Sequence, residues 1–133
     1  MNPKAKENTR EIVEEFWELM GTNDFKAPGR LLTDDFTLDW PQSGERILGR
    51  KNFAAINTEY PAKGPWRFTV NRIVGGEGEA VSDVSVTDGV QKARAISFFT
   101  IKDGKISKMV EFWPEPYPPQ KNRAHLVEPI PTE

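Results

Sequence analysis

The chain has 133 residues, 37% of them hydrophobic and 29% charged, with a net charge of -2; that length supports one hydrophobic core. It contains no cysteine and a single histidine, which excludes a disulfide framework, a thiolate nucleophile and a thiolate metal site. Both charge signs are scattered and Met1 to Glu11 is polar, so neither nucleic acid nor membrane is an expected partner, and the reading is a cytoplasmic protein.

Ile12, Val13, Phe16, Trp17, Leu19 and Met20 fall at the spacing of one helical face. They predict a first helix, capped at Asn8 or started earlier at Asn2-Pro3, and stopped by a left-handed Gly21. A short second helix is expected from Asp24 as cap through Leu31 and Leu32, with Pro28 near its start. The period then changes to two: Phe36, Leu38 and Trp40 alternate with Thr37 and Asp39, a strand with one apolar face that Pro41 ends. A brief strand, Arg46 to Leu48, returns after Ser43-Gly44. Phe53, Ile56 and Tyr60 mark a third helix closed by Pro61.

From Trp66 the pattern is an antiparallel meander with strands over Arg67 to Val74, Ala80 to Val86, Val90 to Ile101 and Lys105 to Trp113. Asp88-Gly89 and Asp103-Gly104 are hairpin dipeptides, because glycine tolerates positive φ. Gly75-Gly76-Glu77-Gly78 lacks the sequence of a phosphate loop and reads as another hairpin turn. Helices followed by a meander give an α+β domain over residues 1–113. Residues 114–133 hold six of the eleven prolines together with Tyr117, Leu126, Val127 and Ile130, and predict an arm that packs on the domain or on a dimer partner.

Three features in this order resemble the nuclear transport factor 2-like, or SnoaL-like, superfamily. They are Leu31-Leu32-Thr33-Asp34-Asp35-Phe36 before the first strand, the Gly44 to Gly49 hairpin, and Ile101-Lys102-Asp103-Gly104-Lys105-Ile106 between the last two strands. The resemblance implies a cone-shaped, barrel-like curved antiparallel sheet wrapped on N-terminal helices, an apolar pocket within it, and pairing of two copies through the outer sheet face, where Ile96 and Phe98 lie. It also implies a range of activities that fold alone does not choose among: isomerisation, cyclisation, dehydration, epoxide hydrolysis, or binding without turnover.

Residue by residue the resemblance is selective. The slots that carry a base, a tyrosine and an acid in a ketosteroid isomerase hold Trp40, Phe16 and Ser97 here, which argues against that mechanism. The one histidine, His125, lies in the tail, away from the positions used by the scytalone dehydratase type. An acid-arginine-acid cluster of the limonene epoxide hydrolase type is available from Asp83, Arg94 and Glu111. A two-residue turn at Asp88-Gly89 would place Asp83 directly opposite Arg94; a bulged three-residue loop would place them on opposite faces.

Glu111 is the leading candidate acid. Alternation puts it on one face with Ser107, Met109 and Trp113, where a desolvated carboxyl would have a raised pKa suited to passing protons; the alternative face is Ile106, Val110 and Phe112. Phe16, Trp17, Trp40, Tyr60, Ser97, Phe99, Met109 and Trp113 are the candidate ligand-binding residues, able to line a flat cavity for a small apolar, cyclic molecule. No metal or cofactor is expected. A ligand-binding protein without turnover and a dimeric interaction module are the rival readings.

Overall fold

In the computed structural model the backbone is described from residue 3 to residue 131 and side chains from residue 9 to residue 131. Helix α1 spans Pro3–Met20, the earlier of the two predicted starts; the cap expected at Asn8 lies outside the described side chains. The left-handed stop is supplied by Asn23, at φ 63°, instead of Gly21. The short amide side chain of Asn23 tolerates that conformation, and it also bonds Trp66, donating to the Trp66 carbonyl at 2.8 Å and accepting from the Trp66 amide at 2.7 Å.

The predicted second helix is only a 3-10 turn, Ala27–Leu31, without side-chain capping at its start. Pro28 leaves too few residues before the strand for a full α-helical turn to propagate. Asp24 serves the approach to it, accepting from the Lys26 amide at 3.2 Å. Strand β1, Leu32–Trp40, begins four residues earlier than the alternation suggested, and β2, Glu45–Leu48, pairs back on it. Helix α2, Gly49–Glu59, packs on this pair and ends before Pro61.

The meander follows as β3 Arg67–Gly76, β4 Glu79–Thr87, β5 Lys92–Lys102 and β6 Lys105–Phe112. Its first hairpin demands glycine at position 75, where a Cβ would collide with the backbone of Glu79 and Ala80. The six strands form one sheet in the order β2-β1-β6-β5-β4-β3. All pairings are antiparallel except β1 with β6, which is parallel. The wholly antiparallel sheet expected from the sequence is therefore a mixed one, because α2 and β3 to β5 intervene before β6 returns alongside β1.

Alternation then sorts the two faces. Ala80, Ser82, Val84 and Val86 of β4 point inward with Ala95, Ser97 and Phe99 of β5 and Met109 and Glu111 of β6, and all are buried. A bulge between Thr100 and Ile101 drops Ser107 from the ladder. Ile106 therefore faces inward along with Met109 and Glu111, and the two faces of β6 are not the simple alternatives that the sequence suggested. The inner face packs on α1 through Phe16 and Trp17, which meet edge to face at 5.1 Å, and Phe16 also contacts Phe53 of α2 and Phe99.

On the outer face Phe98 remains 45% exposed and meets Phe112 edge to face at 6.1 Å. The tail carries a 3-10 turn, Lys121–Leu126, which includes His125, and its apolar side chains Tyr117, Leu126 and Ile130 are all exposed.

Candidate active site

Glu111 is the buried carboxylate of the inner face, with 5% of its surface exposed. Three strands position its partners. Parallel pairing continues Leu38 with Met109, bringing Trp40 of β1 beside Glu111, and its indole Nε1 donates to Glu111 Oε1 at 3.0 Å. Antiparallel pairing sets Ser97 of β5 directly opposite Glu111, and Ser97 Oγ donates to Oε2 at 2.7 Å. Trp113, just beyond β6, also favours the charged form of this carboxyl. Its backbone is fixed by Gln42, whose Oε1 accepts from the Trp113 amide at 2.5 Å.

Burial pushes the Glu111 carboxyl above its ordinary value of 4.5, while the donations from Ser97, Trp40 and Trp113 pull in the other direction. The competition has chemical content. Indole N–H groups can only donate, so they favour the carboxylate, whereas desolvation favours the neutral acid. Ser97 alone can reverse its hydroxyl and accept a hydrogen bond from the protonated Glu111 carboxyl. Desolvation is the larger influence, so the net effect favours the neutral acid.

A second polar pair lies along the same row. Trp17 Nε1 donates to Ser82 Oγ at 3.0 Å, and Ser82 sits directly opposite Ser97 on the neighbouring strand. Ser82 was missed in the sequence, although it is the polar member of an otherwise apolar run of alternate residues, Ala80, Val84 and Val86.

Other assignments separate. Asp83 and Arg94 form a two-pronged ion pair, with both bonds at 2.6 Å, but they lie on the outer face. The loop between β4 and β5 has four residues, Asp88 to Gln91, so Thr87 pairs with Lys92 and Asp83 pairs with Ile96. Neither expected register holds. The two-residue offset keeps Asp83 and Arg94 on one face as diagonal neighbours, and that face is opposite to Glu111. The acid-arginine-acid cluster is therefore not assembled. Asp39 is likewise directed outward and held by Arg46 at 2.6 and 2.9 Å, and that hydrogen-bonded guanidinium holds its carboxyl below the usual range.

Among the ligand-binding candidates, Phe16, Trp17, Trp40, Ser97, Phe99, Met109 and Trp113 gather in or against the inner core. Tyr60 does not; it is 53% exposed at the end of α2 and stacks edge-on with Trp66 at 6.2 Å. The aromatic rings expected to wall an open pocket pack on one another. His125 is exposed in the tail. Among the described residues no group of three or more His, Cys, Asp or Glu is placed to hold a metal ion, and no helix is long and apolar enough to cross a membrane.

The profile of the SnoaL-like domain matches residues 13–109. The chain belongs to the SnoaL-like family. The match stops two residues short of Glu111, so the family assignment and the candidate acid rest on different stretches of sequence. A structure from Kribbella flavida DSM 17836, provisionally named a ketosteroid isomerase, is 34% identical, covers 96% of this chain and 93% of its own, and superposes with a TM-score of 0.87. An NTF-2 like protein of unknown function from Burkholderia xenovorans LB400 is 30% identical over 96% of this chain and 98% of its own, with a TM-score of 0.79. An LEH-like epoxide hydrolase from M. tuberculosis shares the fold at 19% identity and a TM-score of 0.66, covering 84% of this chain and 86% of its own. No protein of curated function matches the sequence.

Proposed function

We propose that this SnoaL-like protein binds a small, apolar, cyclic molecule against the inner sheet face and moves a proton on it through Glu111, without a cofactor. The observation that carries this reading is the buried Glu111 carboxyl, held by Trp40 and Ser97 on its two oxygens. General acid-base catalysis by a positioned carboxyl contributes roughly 100- to 10,000-fold, and burial beside indoles supplies the desolvated setting. Isomerisation, cyclisation and hydrolysis are the reaction classes within reach. The name given to the Kribbella relative favours isomerisation, but with Phe16, Trp40 and Ser97 in the steroid-isomerase slots, any such reaction here would run through Glu111.

Replacing Glu111 with Gln tests the reading on a panel of cyclic ketones, epoxides and polyketide-like substrates. Turnover is expected to fall at least about 100-fold with ligand affinity retained; unchanged turnover would remove Glu111 from the mechanism.

A second reading, binding without turnover, draws support from the mutual packing of Phe16, Trp17 and Phe99. It predicts saturable quenching of tryptophan fluorescence with no product from any substrate. For the outer face, a second copy of this chain is the proposed partner, given the exposed Phe98; Phe98→Lys would then convert a dimer into a monomer in sedimentation. The cysteine-free composition fits the proposed cytoplasmic location.

A further inference from the structure

Helix α1 is fastened to the sheet side of the molecule at its middle and beyond its C-terminal end. At mid-helix Thr9 Oγ accepts from the Gly78 amide at 3.0 Å and Arg10 Nη1 donates to the Ile73 carbonyl at 2.6 Å. Beyond Met20 lies the reciprocal pair of Asn23 and Trp66. A cleft of about 400 Å³ opens between α1 and β3, with the Arg10–Ile73 bond in its wall and Glu14, Trp17, Phe68 and Arg72 also lining it. Past Arg10 along the cleft, the helix reaches the sheet through the bond of Trp17 to Ser82. Edge strand β3 also shifts register here, between Val70 and Arg72, and a bulge of this kind bends the strand and increases its twist.

Trp17 thus has two surroundings. Its ring lines the cleft, yet only 4% of the residue is exposed, because the indole lies among Phe16 at 5.1 Å, Phe68 at 5.6 Å and Phe99 at 6.5 Å. An indole with its N–H on a serine, enclosed by aromatic rings, has the contacts that a flat ligand would make. Turning it toward the cleft requires rotation about side-chain bonds and the loss of the Ser82 hydrogen bond and of ring contacts with Phe16 and Phe99, which a flat ligand in its place would restore, with the fastenings of α1 left in place.

We propose that the α1–β3 cleft is the ligand's entrance and that Trp17 occupies, in the closed molecule, the place the ligand takes. The ligand class follows from the row of polar groups behind it. Ser82, Ser97 and Glu111 stand opposite one another on three adjacent strands, so the row spans two strand spacings, about 9.5 Å. A fused ring system of two or three rings, with an O–H or N–H donor at one edge to replace the indole on Ser82, reaches along that row toward Glu111. This inference rests on the proposed role of Glu111 for its direction, although the movement of Trp17 can be observed independently.

The test uses 2-naphthol, which carries the donor, and naphthalene, which lacks it. The four indole N–H resonances are followed by NMR, with Trp17→Phe identifying that of Trp17. Saturating 2-naphthol is expected to shift the Trp17 resonance and to speed its exchange with solvent at least tenfold. It is also expected to bind about tenfold tighter than naphthalene, the equivalent of one hydrogen bond. Ser82→Ala should bring the ratio of the two affinities close to one, whatever it does to each. A Trp17 N–H that stays protected under bound 2-naphthol, an affinity ratio unaffected by Ser82→Ala, or no binding of either probe up to its solubility would overturn the proposal. The two readings fail separately. If Trp17 responds and the Glu111 carboxyl resonance does not, the entrance stands without the acid; if Glu111 responds and Trp17 stays closed, the acid stands without this entrance.

Discussion

Trp40 donates its indole N–H to Glu111 across 3.0 Å, joining residues 71 positions apart in the chain. The bond exists because β1 and β6 lie side by side in parallel, and Trp40 can only ever be the donor. Trp40→Phe keeps the ring and removes the donor, so the charged form of Glu111 loses support and its pKa rises further. A carbon-detected titration of the carboxyl should show that upward movement, with a stability loss of about 1 kcal/mol at neutral pH in chemical denaturation.

Glu111 also sets a slope in the pH dependence of stability. Its folded pKa is raised, so the folded state binds the proton more tightly than the unfolded one, and stability falls as pH rises from the unfolded value through the folded value. Below that window both states are protonated and there is no penalty. Glu111→Gln should flatten this part of the curve in denaturation measured at successive pH values; an unchanged slope would mean that Glu111 is not the group responsible.

Asp88 acts in the opposite sense. Its carboxyl accepts from the Lys63 amide at 2.8 Å, from the amides of Val90 and Gln91 at 2.9 and 2.7 Å, and from the Gln91 side chain at 2.7 Å. The Lys63 amide leads the donors that hold its pKa far below the ordinary 3.8. The stabilisation is complete above the unfolded value and drains away as pH falls through the folded one. Asp88→Ala should lower the Tm at pH 7, and the gap to the wild type should narrow in strong acid.

The ion pair of Asp83 and Arg94 lies on the face of the sheet away from Glu111. Asp83→Asn should leave the Glu111 titration and any turnover unchanged while lowering the Tm modestly, an outcome that separates this protein from a water-activating acid-arginine-acid arrangement. Loss of activity in that variant, with the fold intact by circular dichroism, would restore the cluster to the mechanism.

The core reads differently. Phe16 is 1% exposed and touches Trp17, Phe53 and Phe99, so Phe16→Ala should cost about 3–5 kcal/mol in denaturant unfolding.

Local patterns carried much of this architecture. The period of α1, the two-residue alternation at Phe36 to Trp40 and the glycine turns were enough to place most elements, because each depends on neighbours in sequence. Glu111 was legible as the acid of an apolar strand face. What escaped depends on distant chain segments. The parallel return of β6 beside β1, which creates the Trp40 bond, has no local signature, and the bulge that turns Ile106 inward arises from pairing with β5. The register at Asp83 turned on a loop of four residues, where the dipeptide Asp88-Gly89 suggested two; Asp88 binds the amides of Val90 and Gln91 and so draws both into the turn. Ser82 acquires meaning only once Trp17 is seen to need a partner.

The most direct test of the account is the pH titration of the Glu111 carboxyl carbon by NMR, assigned by its absence from Glu111→Gln. The expected midpoint lies above the ordinary glutamate value of 4.5, with a further change when 2-naphthol binds. A Glu111 signal that titrates at or below that value and ignores the ligand would contradict the proposed role of Glu111.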